Sequence, residues 1–225
     1  MNIAIIGYGK MGKELRNAAI HSGYNVIGIF DDSSSLAKAQ LDSAVGIDFS
    51  TPSALAANYK IIAEKCKAAV IGTTGWEDIQ QEVCAYFTSL NKPMIYASNF
   101  AIGVNIYFCL VETAAKLLKQ FGGYEPFLME LHHKQKKDAP SGTAKVLSKI
   151  LQLIFDNKPV DASVVRCGHI KGVHEVGFES EDDHILIKHE AYSRKSFVAG
   201  ALLAAKWTST IEGVANFLNI IKAKL

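Results

Sequence analysis

Asn2-Ile3-Ala4-Ile5-Ile6-Gly7-Tyr8-Gly9-Lys10-Met11-Gly12 is the stretch on which the fold turns. Residues 2–6 form an unbroken apolar run, as expected of a strand buried on both faces of a parallel sheet. The glycines follow in G-x-G-x-x-G order, and Lys13 to Ser22 has helical spacing that Gly23 ends. Asn25 to Phe30 is a second strand, closing at Asp31-Asp32. A glycine triplet alone is weak, but a strand before it, a helix after it and an acid about 20 residues on supply the context of a dinucleotide-binding βαβ unit. In that reading Gly7 makes the tight turn, Gly9 admits a pyrophosphate, Gly12 lets helix and strand pack closely, and Asp31 accepts hydrogen bonds from a ribose.

The alternation continues outward. Strands are expected at Val45–Phe49, Ala68–Ile71 and Pro93–Ala97, with helices over Ser53–Cys66 and from a Thr74–Glu77 capping box through Leu90. Three strand ends carry small polar residues: Ser50-Thr51, Thr73-Thr74 and Ser98-Asn99. Each pair alone is ordinary turn chemistry. Together they line the crevice beyond the carboxyl ends of the strands, where doubly wound sheets bind ligands. After a long helix, Val104–Phe121, the pattern changes. Strand 126–133, a helix from Ser141, and strands at Ala162–Cys167, His174–Glu179 and His184–Glu190 predict a mixed sheet in a second, α+β unit. Helices over Ser196–Trp207 and Thr210–Lys222 close the chain. The fold class is therefore α/β, a Rossmann-type domain with an inserted α+β domain.

Composition narrows the function. The 225 residues are 49% apolar and 20% charged with a net charge of +2, which argues against a whole surface built for nucleic acid. No apolar run is long enough to cross a bilayer, and no signal peptide is visible. The four cysteines, Cys66, Cys84, Cys109 and Cys167, form no C-x-x-C pair. Neither a metal site nor a disulfide framework is expected, and a reduced, cytoplasmic setting follows.

Against that neutral background, five of the six residues from His132 to Lys137 are basic. The run leaves an apolar strand and enters a helix through Pro140-Ser141-Gly142-Thr143. Ser141 or Thr143 can cap that helix, and its first amides form a site for an anion. His132 and Lys136 add two proton donors four residues apart. A solvated basic loop is the plainer reading of such a run, but paired histidines at a strand end are an unusual solubilising choice.

These residues carry a family resemblance. The Gly7–Gly12 loop, Gly72-Thr73-Thr74-Gly75, Ser98-Asn99-Phe100, and above all Glu130-Leu131-His132-His133 with Lys136 and Asp138-Ala139-Pro140-Ser141-Gly142-Thr143-Ala144 resemble the 4-hydroxy-tetrahydrodipicolinate (dihydrodipicolinate) reductase family. Arg166-Cys167-Gly168 and His189 to Arg194 extend the match. The resemblance implies a dinucleotide domain over 1–103 and 195–225, and a substrate-binding and oligomerisation domain over 104–194. It implies hydride transfer from a reduced nicotinamide to a cyclic unsaturated imine dicarboxylate in the diaminopimelate route to lysine, and a homotetramer. His132 and Lys136 are its catalytic pair. Thr74, His133, Lys136, Ser141, Gly142 and Thr143 contact the substrate. The cofactor set is Gly7, Tyr8, Gly9, Lys10, Met11, Gly12 and Asp31 with Ser50, Gly72, Thr73, Thr74, Ser98, Asn99 and Phe100.

The sequence departs from the family in two places: the segment between Asp32 and Asp48 is short, trimming one βα element, and Asp32 stands where an arginine is familiar. Two adjacent carboxylates favour NADH, with Lys10 or Lys38 able to admit some NADPH. Crowding by His133 and the lysines is expected to lower the proton affinity of His132. The rival readings are a semialdehyde dehydrogenase, which needs a crevice cysteine, and a cofactor-sensing regulator, which has no use for the His132–Lys136 pair.

Overall fold

The computed structural model describes all 225 residues, which divide into two compact units, Met1–Ala101 with Arg194–Leu225, and Ile102–Ser193. The first unit holds a wholly parallel six-stranded sheet. Its strands are β1 (Asn2–Ile6), β2 (Asn25–Phe30), β3 (Ala44–Asp48), β4 (Ala68–Ile71), β5 (Met94–Tyr96) and β10 (Val214–Asn216), in the order β10-β5-β4-β3-β1-β2. The direction of travel reverses between β1 and β3, which makes that junction the switch point of a doubly wound sheet. Helix α1 (Lys10–His21) packs with α7 (Lys195–Trp207), while α2 (Ser33–Lys38), α3 (Pro52–Lys65) and α4 (Gln80–Ser89) form a second layer. Strands β1, β3 and β4 are buried along almost their whole length, as their unbroken apolar runs require.

The trimming expected after Asp32 takes the form of a six-residue α2, with β2 left at the sheet edge. Asp32 caps α2, accepting from Ser35 N–H (2.8 Å) and Ser35 Oγ (2.7 Å). Two expectations fail. No Thr74–Glu77 capping box forms. The Trp76 indole instead donates to Thr73 O (2.8 Å), and a 3₁₀ turn over Glu77–Ile79 starts the helix without a side-chain cap. The helix expected over Thr210–Lys222 is split into β10 and α8 (Phe217–Lys222), because pairing of Val214–Asn216 with Met94–Tyr96 extends the sheet and Asn216 caps what remains.

The second unit holds α5 (Ile102–Phe121), β6 (Glu125–His132), α6 (Gly142–Ile154), β7 (Asp161–Arg166), β8 (Val173–Glu179) and β9 (His184–Glu190). Its sheet runs β7-β6-β8-β9, with β7 parallel to β6 and the other pairs antiparallel, a mixed sheet. Helices α5 and α6 contact each other and the strands. The hydroxyl of Tyr107 on α5 donates to Ile187 O (3.2 Å), and Phe155 after α6 stacks on Phe178. No helix is long and apolar enough to cross a membrane.

Candidate active site

In the first unit, the sheet's topology gathers the polar strand ends. A cavity of about 310 Å³ is lined by Met11, Ser50, Gly72, Thr73, Thr74, Ser98, Asn99 and Phe100, together with Phe49, Arg194 and Phe197. The last three are not among the expected cofactor residues. Phe49 looked like the end of a strand, and Arg194 and Phe197 reach the crevice only because α7 returns to this sheet. Thr51 is turned to another task, capping α3 by accepting from Ala54 N–H (3.2 Å). Beneath the crevice Asp48 is fully buried. It accepts from Ser50 N–H (3.1 Å), Ser50 Oγ (2.9 Å) and Thr73 Oγ1, so it fixes two of the lining loops. Burial pushes the Asp48 carboxyl above the ordinary carboxylate range, against these hydrogen bonds.

The glycine loop fits a dinucleotide. Gly7 sits at φ +85°, where a β-carbon would strike the backbone of Phe49 and Ser50. A β-carbon on Gly12 would strike Gly7 O, whereas nothing approaches Gly9, at the N-cap of α1. That leaves space beside the first amides of a twelve-residue helix, where phosphate oxygens are favoured. Tyr8 and Lys10 flank Gly9 in this loop. Asp31 is exposed at the end of β2, with Oδ1 accepting from Tyr8 N–H (2.5 Å).

In the second unit, strand register builds the site. Glu130 and His132 share one face of β6; Arg166 on β7 lies opposite His132, and His174 on β8 lies opposite Glu130. Glu130 has no exposed surface. Its oxygens accept from Arg166 Nη2 (2.5 Å), from Ser141 N–H (3.1 and 3.2 Å) and from the Ser141 hydroxyl. Burial raises its pKa, but the Ser141 and Arg166 hydrogen bonds outweigh it and hold the carboxyl below its usual range. Ser141 is itself buried, caps α6 by accepting from Ala144 N–H (3.2 Å), and meets His174 Nε2 at 3.0 Å. Its polar groups thus serve the fold. Gly142 and Thr143 form the first turn of α6.

His132 is buried, with Nδ1 3.9 Å from Glu130 Oε1 and its ring 5.1 Å from that of His174, edge to face. Its pKa is lowered, by burial first and then by Lys136 and Arg166, while Glu130 opposes the shift. The direction is the expected one; the charge of Arg166 stands where His133 was expected. His174 is pushed down to about 4, mainly by burial. His133 is half-buried, and its Nδ1 has no hydrogen-bond partner. Lys136 Nζ donates to both oxygens of Asp138 (2.8 and 3.1 Å). Donor atoms of Glu130, His132 and His174 lie within 4.8 Å of one another, but the guanidinium of Arg166 already occupies Glu130 and makes this an ion-pair hub. No cysteine lines the crevice of the first unit, and burial drives the thiol of Cys66 up to about 12.

Comparison with known proteins covers nearly all of the chain. The family model "Dihydrodipicolinate reductase, N-terminus" matches residues 1–100, and "Dihydrodipicolinate reductase, C-terminus" matches 103–221. The 4-hydroxy-tetrahydrodipicolinate reductase of Archaeoglobus fulgidus is 32% identical over 249 residues, covering 94% of this chain and 95% of that protein. The enzyme of the same name from Chromohalobacter salexigens is 36% identical over 253 residues, covering 92% and 93%. Among solved structures, a dipicolinate-bound dihydrodipicolinate reductase from Paenisporosarcina sp. TG-14 superposes with a TM-score of 0.80 at 21% identity, covering 98% of this chain and 99% of that one. At that identity the superposition speaks for the fold.

Proposed function

This chain belongs to the dihydrodipicolinate reductase family, and from that premise we propose that it reduces a cyclic, unsaturated imine dicarboxylate with a nicotinamide cofactor, giving tetrahydrodipicolinate. The observation that carries the reading is the segment from Glu130 to Thr143. It joins a buried histidine of lowered proton affinity, a lysine already holding a carboxylate, and the first turn of a helix.

The bound nicotinamide supplies the hydride. Gly7, Gly9 and Gly12 with the amides of Tyr8, Lys10 and Met11 receive its pyrophosphate, and Asp31 takes a ribose hydroxyl through the oxygen that Tyr8 does not use. Ser50, Gly72, Thr73, Thr74, Ser98, Asn99 and Phe100 hold the nicotinamide end, with Arg194 as an added cation. In the second unit Lys136 exchanges Asp138 for one substrate carboxylate. The Gly142 and Thr143 amides take the other, and His133 completes the contacts of this unit. Ser141 acts by holding that turn in place. His132 delivers a proton to the carbon beside the one that gains the hydride, so one N–H bond breaks as one C–H bond forms.

NADH is the preferred cofactor. The hydrogen bonds from Ser35 hold Asp32 ionised beside Asp31, and the pair repels a 2′-phosphate. The chain assembles as a homotetramer through the second unit's sheet. The face bearing Phe127, Met129, Leu131, Val165 and Leu186 alternates with the one that contacts α5 and α6, and Leu186 is 46% exposed.

The reading is tested by following NADH and NADPH oxidation with the imine generated in the cuvette. NADH should turn over faster, and Asp32→Arg should move the ratio toward NADPH. His132→Gln should lower kcat while leaving cofactor affinity in place. Lys136→Ala should cost roughly 2–5 kcal/mol in kcat/KM, as loss of a charged partner does. Wild-type kinetics in both of these variants would remove the pair from the chemistry.

A further inference from the structure

We propose that Glu130 is a positioning residue for the reduction: it orients the His132 ring through Nδ1, so that Nε2 is the nitrogen presented to substrate. The proposal rests on the reading of His132 as proton donor and adds the group that aims it.

Placing an ionised carboxylate where Glu130 has no exposed surface costs several kcal/mol unless partners compensate. Arg166 and two donors from Ser141 do so, arriving from β7 and from the head of α6. An apolar residue at this inward position of β6 would close the sheet at no such cost, so the carboxylate serves something besides packing. His132 is that something. It is the next residue on the same face of β6, its Nδ1 is buried without a hydrogen-bond partner, and Glu130 Oε1 lies 3.9 Å from that nitrogen. The other ring nitrogen has a different neighbour. A β-carbon on Gly172 would lie 3.0 Å from His132 Nε2, so the absence of a side chain at Gly172 keeps that edge of the ring open. The nitrogen facing a carboxylate keeps its proton and the opposite nitrogen does the exchanging, which is how a second group fixes a histidine's tautomer.

Titratable groups face the ring from every strand of the sheet and from the loop after β6. Glu130 comes from β6, Lys136 and Asp138 from the loop that follows, Arg166 from β7, and His174 from β8 with His189 of β9 behind it. Glu130 and Asp138 attract a proton to His132; Lys136 and Arg166 repel it. In the step itself, the imidazolium loses its Nε2 proton to the substrate carbon and retains Nδ1–H toward Glu130.

The test begins with the unmodified full-length protein, its histidine rings labelled with ¹⁵N and His132 assigned by comparison with His132→Gln. Neutral His132 should carry its proton on Nδ1; a proton on Nε2 overturns the proposal whether or not any variant folds. Glu130→Gln, which keeps the shape and one acceptor oxygen for Arg166 while its amide can donate to the Ser141 hydroxyl, should move the His132 titration down by about one pH unit. The alkaline fall in turnover should move with it, so that kcat at pH 8 drops about tenfold, with the KM for cofactor unchanged. Glu130→Asp should restore most of the shift. Turnover retained in His132→Gln would overturn the reading of the site. Turnover lost in His132→Gln, with an unmoved titration in Glu130→Gln, would overturn the role of Glu130 alone.

Discussion

Two carboxylates, one in each unit, have no solvent-exposed surface, and they are held in opposite ways. Asp48 lies beneath the cofactor crevice among neutral donors, Ser50 and Thr73, and its pKa rises. Glu130 lies beneath the His132 loop with the guanidinium of Arg166 beside it, and its pKa falls. Hydroxyls and an amide do not offset the burial of a charge in the first case. A cation added to similar donors does so in the second. The first unit therefore has a support whose proton affinity is raised, and the second has one whose proton affinity is lowered. That division suits the roles proposed above, a crevice for an anionic cofactor and a loop in which His132 carries a proton.

The sharpest way to break the contrast is to remove the cation. Arg166→Ala should destabilise the protein by roughly 3–5 kcal/mol in urea unfolding at pH 7, because it leaves Glu130 buried and unpaired. Adding Glu130→Gln should recover much of the loss; additive losses would mean that Arg166 matters through packing. Next comes pH. His174 falls from 6.5 to about 4 on folding, so below pH 6.5 the unfolded chain takes up a proton that the folded one refuses. Stability should decline by about 3 kcal/mol as pH drops from 6.5 toward 4. His174→Gln should flatten that part of the profile, and an unchanged slope would place the proton uptake elsewhere. Ser141→Ala removes a helix cap and a donor to Glu130 together, and should cost about 1–3 kcal/mol; a neutral result would mean that water replaces both. The smallest effect has the opposite sign. Asp48→Asn should gain about 1 kcal/mol at pH 7 by relieving a buried charge. A raised pKa contributes stability at low pH that is lost as pH rises, so the gain should fade on acidification. A loss at pH 7 would show that the ionised form is needed to hold Ser50 and Thr73.

What could be read from the sequence follows the range of the interactions involved. The strand, glycine loop, helix and acid of residues 2–32 were legible because each requirement is local: a turn, a close approach, a cap. The polar strand ends point to a crevice, and all of them but Thr51 line one. Glu130 passed unnoticed as one letter of a motif. Its signal was there, an acidic side chain between Leu128 and His132 on the inward face of an alternating strand, but its partners Arg166 and His174 are supplied by register on β7 and β8. Asp48 ends a buried strand in the same way, and only β4 brings Thr73 to it. Arg194 and Phe197 depend on the chain's return, which no local pattern encodes. Three residues at β10 are too few for a periodicity to register against a helical surround.

That return has a consequence for how the molecule is made. Strand β5 finds its outer neighbour only in Val214–Asn216, and Gly200 of α7 fits so close to Phe100 that a β-carbon would collide with its carbonyl. On the ribosome these surfaces stay bare until the whole intervening unit has been translated. The nascent first half therefore carries an open sheet edge and an uncovered apolar face through most of synthesis, surfaces that favour aggregation until its own C-terminal segment arrives.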